Sequence, residues 1–217
     1  SWMTSVAYDN LSVTSNADGS TLYACDFDDD SVLKTDGFND HEGEWYIEDG
    51  RLIQANTSDP ADGNTGDVIY VGDKDWSNYT LTVDAEILSG NEGFLIPVCV
   101  QDTGNNIFWN IGGWGNTVSC LQIVSGNSKS GQVSGTVKNL VLKKNQVYHL
   151  KVVVDGNNMK CYLDDTLYID YTKETTEAVY ETASIDENGD LILKFVNTTS
   201  GEVSINTTLE HFSVESY

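Results

Sequence analysis

TLTVDAEI, residues 80–87, decides the fold. Leu81, Val83, Ala85 and Ile87 alternate with Thr80, Thr82, Asp84 and Glu86. A chain whose side chains switch face at every residue can bury the first set and wet the second only as a half-buried β-strand. YHLKVVV at 148–154, MKCYL at 159–163 and LILKFV at 191–196 read the same way, each bounded by Gly, Asn or Asp. Between the first two, Asp155, Gly156, Asn157 and Asn158 form a hairpin signal. Further strands are expected near 8–14, 21–27, 44–48, 51–55, 93–100, 107–111 and 118–124, well over ten in all. Helical periodicity is absent; the one candidate, 172–179, carries three threonines and is read as a short turn. Many short strands with Gly-rich and Asn-rich turns predict an all-β antiparallel sandwich.

The polar stretch TKETTEAVY at 172–180 interrupts this pattern. Residues 1–175 are therefore expected to form the sandwich, and 176–217 a tail of three strands from a partial sandwich. So few strands are marginal alone and must pack on the first unit or on something outside this chain.

Composition narrows the partners. The 217 residues carry 11 basic and 34 acidic side chains, a net charge of −23. Such a field repels phosphate backbones and anionic lipid surfaces, so neither nucleic acid nor membrane is expected as a partner. Arg51 is the sole arginine, which leaves no cluster to clamp phosphate or carboxylate ligands. Neutral glycans fit these limits. With 5 Trp, 11 Tyr and 6 Phe the chain has enough to bury that acidity does not signal disorder. No apolar run approaches a membrane span, and the opening SWMTSVAYDN lacks a signal-peptide pattern, so the chain is expected to be mature or excised; a secreted monomer is expected. Cys25, Cys99, Cys120 and Cys161 have no metal-binding or redox spacing. Disulfides and buried thiols both remain open, with thiols favoured because each lies in an apolar run.

Sugar rings present C–H faces that stack on aromatic rings, and hydroxyls that need amide and carboxylate partners. FWNIGGWGNT at 108–117 supplies both. Trp109 and Asn110 lie on its strand, and its glycines re-aim Trp114 and Asn116. Trp114 is the expected exposed platform, with Trp109 divided between binding and core. Trp45, Tyr46 and Glu92 complete the candidate set, and Trp76 reads as a lid over a sandwich end. Asp26, Asp28 and Asp30 crowd carboxylates as a structural calcium ion would need, without the glycine and glutamate of an EF-hand loop. His41, His149 and His211 are isolated from one another and read as structural or surface residues.

Together CDFDD at 25–29, GEWYIEDGRL at 43–52, GNEGFLI at 90–96, FWNIGGWGNT and YHLKVVVDGNNMKCYLDD at 148–165 resemble the concanavalin-like, laminin-G-like modules attached to glycoside hydrolases. The pairing of FWNIGGWGNT with GNEGFLI is similar to the module in some bacterial α-L-arabinofuranosidases of glycoside hydrolase family 51. ASIDENGDLILKFVNTTSGEVSINTTLE at 183–210 resembles the closing strands of that family's C-terminal sandwich. YDNLSVT at 8–14 resembles the last strand of such modules yet stands first, as if the sandwich were permuted or the strand shared with a neighbour. The resemblance implies a jelly-roll sandwich with a small β appendage. It also implies a noncatalytic role, holding an attached catalytic domain near neutral plant polysaccharide of the arabinoxylan or arabinan kind. The family's catalytic barrel would need about 250 further residues with alternating helices, so no catalytic residue is carried over.

Two alternatives stand beside this reading. A structural spacer would bury its aromatics, whereas a binding module should expose at least two in a groove. A sandwich glycosidase could use Asp84 and Glu86, about 7 Å apart on one strand face. Thr82 and Leu88 break the three-carboxylate run of concanavalin-like glucanases, which weakens it.

Overall fold

The computed structural model describes residues 2–35, 43–58, 67–173, 179–198 and 202–208. It divides into two compact units, Ser1–Lys173 and Glu174–Tyr217. In chain order the first unit contains β1 (Thr4–Ser15), β2 (Thr21–Cys25), α1 (Val32–Thr35), β3 (Trp45–Glu48), β4 (Arg51–Gln54), β5 (Tyr79–Gly90), β6 (Phe94–Asp102) and β7 (Asn105–Gly112). There follow α2 (Gly113–Asn116), β8 (Val118–Ser125), β9 (Ser128–Lys129), β10 (Lys138–Asn139), β11 (Val147–Asp155), β12 (Asn158–Leu163) and β13 (Thr166–Thr172). The second unit pairs β14 (Val179–Ile185) with β15 (Leu191–Asn197).

The first unit is an antiparallel β-sandwich, as the alternation at 80–87 requires. One sheet has eight strands in the order β13-β12-β11-β5-β1-β4-β3, with β2 also on β1. The other has five, ordered β10-β8-β7-β6, with β9 on β8. Inward-facing residues of both sheets form one core. Val83, Ala85 and Ile87 on β5 and Leu150, Val152 and Val154 on β11 meet Phe94, Ile96 and Val98 on β6 and Ile107, Trp109 and Ile111 on β7. The turn from β11 to β12 is the expected one, with Gly156 at φ 57 in its first central position.

The first strand is longer than its sequence pattern suggested, and it lies inside the large sheet. β5 pairs along one edge; on the other, Val6–Tyr8 pair with β4 and Leu11–Thr14 with β2. The change of partner falls at a register shift where Asn10 takes φ 52. A bulge there bends the strand enough to serve two neighbours.

Among the described residues α1 and α2 are single turns, α2 with positive φ at Trp114, Gly115 and Asn116. Thr172 ends β13 and Val179 begins β14, while 174–178 of the suggested turn lie outside the described residues. In the second unit the register puts Val179, Ala183, Ile185, Leu191, Leu193 and Phe195 on one face. Two strands of the tail are described, 202–208 take no strand, and the rest lies outside the described residues. All four cysteines are free thiols.

Candidate functional site

Residues that alternate with the core face outward from the five-stranded sheet. On β7 these are Asn106, Phe108 and Asn110; on β8, Gln122 stands opposite Phe108 and Cys120 opposite Asn110. Asn106, Phe108, Asn110, Cys120 and Gln122 are all buried, because Val68 and Tyr70 pack over Leu95, Phe108 and Val124. Burial pushes the Cys120 thiol up to about 11.

The amides here are directional. Asn110 Nδ2 donates to Gln122 Oε1 at 3.0 Å, and Gln122 Nε2 donates to the Ser130 carbonyl at 3.2 Å. Asn110 Oδ1 is left as an acceptor with no partner among the described residues. Asn106 Oδ1, on the same face, is a buried atom and is also unpartnered among them.

Above this face the turn from β7 to β8 is left-handed. Gly112 (φ 73), Trp114 (φ 51), Gly115 (φ 72) and Asn116 (φ 60) all adopt positive φ. Gly113 is needed for close approach, since a Cβ there would stand 2.3 Å from Asn110 Oδ1. Asn116 closes the turn: its Nδ2 donates to the Leu142 carbonyl and its Oδ1 accepts the Leu142 N–H, both at 2.8 Å. Glu92, fixed where its N–H meets Thr4 Oγ1 at 2.9 Å, accepts the Gly115 N–H through Oε1 at 2.9 Å. Trp114, at the tip, is 44% exposed.

Lys129 enters from β9. A two-residue turn, Gly126 (φ 56) and Asn127 (φ 64), sets Lys129 opposite Val124. Its ammonium lies 5.3 Å from the Phe108 ring centroid. Burial lowers its pKa, while the Glu92 carboxylate pulls the other way. Lys129 and Gln122 were not singled out from the sequence; the Gly-Asn pair at 126–127 was the signal that could have found Lys129.

The structure thus brings Trp114, Asn110 and Glu92 together and separates the other candidates. Trp109 is a correction toward core: wholly buried, with its indole N–H donated to Ser119 Oγ at 2.9 Å, it offers no face to a sugar. The Asn116 amide is engaged at both ends by Leu142 and positions the turn. Trp45 stacks on Tyr8, with centroids 6.4 Å apart, beside a largely apolar cleft of about 370 Å³ between the sheets. Trp76, in the same cleft, meets Tyr79 edge-on. Tyr46 is exposed, but on the edge strand β3 of the other sheet. The expected groove with two exposed aromatics is therefore not formed by Trp114 and Tyr46.

Among the described residues, no group of three or more His, Cys, Asp or Glu is placed to hold a metal ion. Asp26, Asp28 and Asp30 do not converge: Asp26 accepts the Asp28 N–H, and Asp28 lies against Gly50. The neighbouring Asp29 accepts the Ser31 N–H. Asp84 and Glu86 lie on the outer face of the eight-stranded sheet, each held by neighbours. Glu86 pairs with Arg51 at 2.7 Å, and Asp84 bonds His149 Nδ1 at 2.8 Å and Asn10 Nδ2 at 2.9 Å. His41 and His211 lie outside the described residues.

Comparison with known proteins agrees with the sequence resemblance. An extracellular exo-alpha-L-arabinofuranosidase of Streptomyces chartreusis is 36% identical over 204 residues. The match takes in 93% of this chain and 23% of that protein, so the chain spans less than a quarter of its relative's length. A carbohydrate binding module of Bacillus subtilis, CBM66, is structurally similar with a TM-score of 0.48 and 20% identity, over 62% of this chain and 78% of that one. The sequence profile of the 3-keto-alpha-glucoside-1,2-lyase-like domain matches residues 26–206, and the chain belongs to that family.

Proposed function

We propose that the chain is a noncatalytic carbohydrate-binding accessory module of an extracellular arabinofuranosidase, and that it holds the enzyme near neutral, arabinose-bearing plant polysaccharide. The observation that carries this reading is the outer face of the five-stranded sheet. An exposed indole stands there beside an unengaged acceptor, Asn110 Oδ1, and a fixed carboxylate, Glu92. The extracellular relative supports the context, and no helix among the described residues is long and apolar enough to cross a membrane. The engagement of Asp84 and Glu86 by neighbouring side chains speaks against a hydrolytic site on the other sheet.

One aromatic platform reads one ring, so single-site affinity is weak and gains its effect through tethering. Calorimetric titration of the chain with arabinoxylan, arabinan, xyloglucan and β-glucan tests this. Saturable heat that is lost in Trp114→Ala is expected with at least one arabinose-bearing polymer. Silence with all four polymers would favour the spacer reading, and release of reducing sugar would overturn the noncatalytic one.

A further inference from the structure

In a chain with 34 acidic and 11 basic side chains, a lysine held against a phenyl ring and paired with no carboxylate among the described residues is out of place. Lys129 is half-buried, and among the described residues its ammonium has neither a hydrogen bond nor an ion pair. An ammonium carries three donors and no acceptor. Desolvating it without partners is costly, and the 5.3 Å approach to Phe108 offsets only part of that.

The unused groups around it are complementary. Asn110, fixed by the Gln122 bond, holds its Oδ1 beside Gly113 in the turn that carries Trp114, with no donor to it among the described residues. Glu92 holds the turn through Oε1 and keeps Oε2 for another donor. The Glu92 charge acts on Lys129, yet among the described residues the two form no ion pair, so neither uses up the other's hydrogen-bonding capacity. Neighbouring hydroxyls on one sugar ring need this arrangement, one oxygen accepting from a cation while the next donates to a carboxylate or amide oxygen. A carboxylate-bearing sugar would meet Lys129 but be opposed by Glu92 and by the net charge of −23.

We propose that Lys129 is a specificity-determining residue: its ammonium, with Glu92 and Asn110 as acceptors, selects a single neutral sugar ring by two adjacent hydroxyls while Trp114 covers the ring's apolar face. This rests on the carbohydrate-binding reading above and adds the ligand chemistry to it.

NMR titration of the full chain with methyl α-L-arabinofuranoside, methyl β-D-xylopyranoside and methyl β-D-glucopyranoside, with their 2-deoxy and 3-deoxy analogues and a methyl glucuronide, tests it. Wild type and Lys129→Met are compared, with Lys129→Gln as a second variant should the first not fold. At least one neutral glycoside should bind, and Lys129→Met should weaken it about tenfold, the worth of a hydrogen bond to a charged group. Removing the hydroxyl that meets Lys129 should weaken wild-type binding by a similar factor and leave the variant's binding unchanged. Equal deoxy penalties in both proteins, or an unchanged affinity in the variant, would overturn the role of Lys129 while leaving carbohydrate binding intact. Tighter binding of the glucuronide would overturn the neutral-ring assignment. Failure of wild type to bind any glycoside would overturn the carbohydrate reading together with this one.

Discussion

Replacing Trp114 by glycine should give a more stable protein than replacing it by alanine, against the ordinary ranking of the two. Trp114 sits at φ 51, ψ 53, in the left-handed region. A side chain with a Cβ costs about 1–2 kcal/mol there, and glycine costs nothing. Glycine surrenders about 0.5–1 kcal/mol in unfolded-state entropy relative to alanine. The central values leave the glycine variant ahead by about 0.75 kcal/mol, or roughly 1.5–3 °C in Tm for a domain of this size.

Both variants remove the same indole, so both should lose glycan binding to the same degree. An indole presents up to about 250 Å² in all, and Trp114 leaves 44% of its surface to solvent. A sugar ring covering one face would remove roughly 50 Å² of that from water, about 1.3 kcal/mol and close to tenfold in affinity. Urea unfolding and calorimetric titration of the two variants side by side give both quantities. An alanine variant as stable as the glycine one would refute the strained turn. Binding retained in either would refute the platform.

Ser119→Ala should cost about 1–3 kcal/mol in urea unfolding, because it strands the buried indole N–H of Trp109; a loss below 0.5 kcal/mol, roughly the scatter of surface changes, would count against that bond. Lys129 has a lowered folded-state pKa, so its charge opposes folding below that pKa, and the opposition fades as pH rises toward its ordinary value. The stability difference between Lys129→Met and wild type should therefore shift in favour of wild type on going from pH 7 to pH 10, and a shift the other way would contradict the burial of the ammonium. Native protein should react slowly with a thiol reagent at pH 8, since burial raises the Cys99, Cys120 and Cys161 thiols, that of Cys120 to about 11; four equivalents should react on unfolding, and fewer would reveal a disulfide.

The fold was legible because its signal is local. Alternation at 80–87 needs only the period of a strand, and β5 with its buried Val83, Ala85 and Ile87 follows from it. Trp109 could be placed in the core by the same rule, lying between Ile107 and Ile111 on one face. What could not be read depends on turns and on distant partners. The exposure of Trp114 rests on a run of left-handed residues, which glycines permit but do not dictate. The capture of Asn116 depends on Leu142, 26 residues away. β9 and β10, at two residues each, are too short to show a period. The acidic run at 26–30 suggested an ion by density alone. In the structure Asp26 and Asp29 accept backbone N–H groups of their own loop, the commonest use of aspartate in a turn.

Most of this chain obeys the local rules of stability. Asp84 and Glu86, exposed to the same acidic field as every other carboxylate, have a histidine and an asparagine, and an arginine, as neighbours. Left-handed backbone at a bulky residue also occurs at Phe27 (φ 56) and Cys99 (φ 52), but on the outer face of the five-stranded sheet and in the turn above it three kinds of departure occur together. A tryptophan takes a backbone conformation suited to glycine, a half-buried lysine forms no ion pair among the described residues, and the Asn110 amide oxygen accepts from nothing described. The first two departures each cost on the order of 1 kcal/mol. The three carry, in order, an apolar face, a donor and an acceptor, and a hydroxylated ring has use for all three at once. Scattered over the surface they would be isolated defects; on one face of one sheet they are what the proposed glycan site requires.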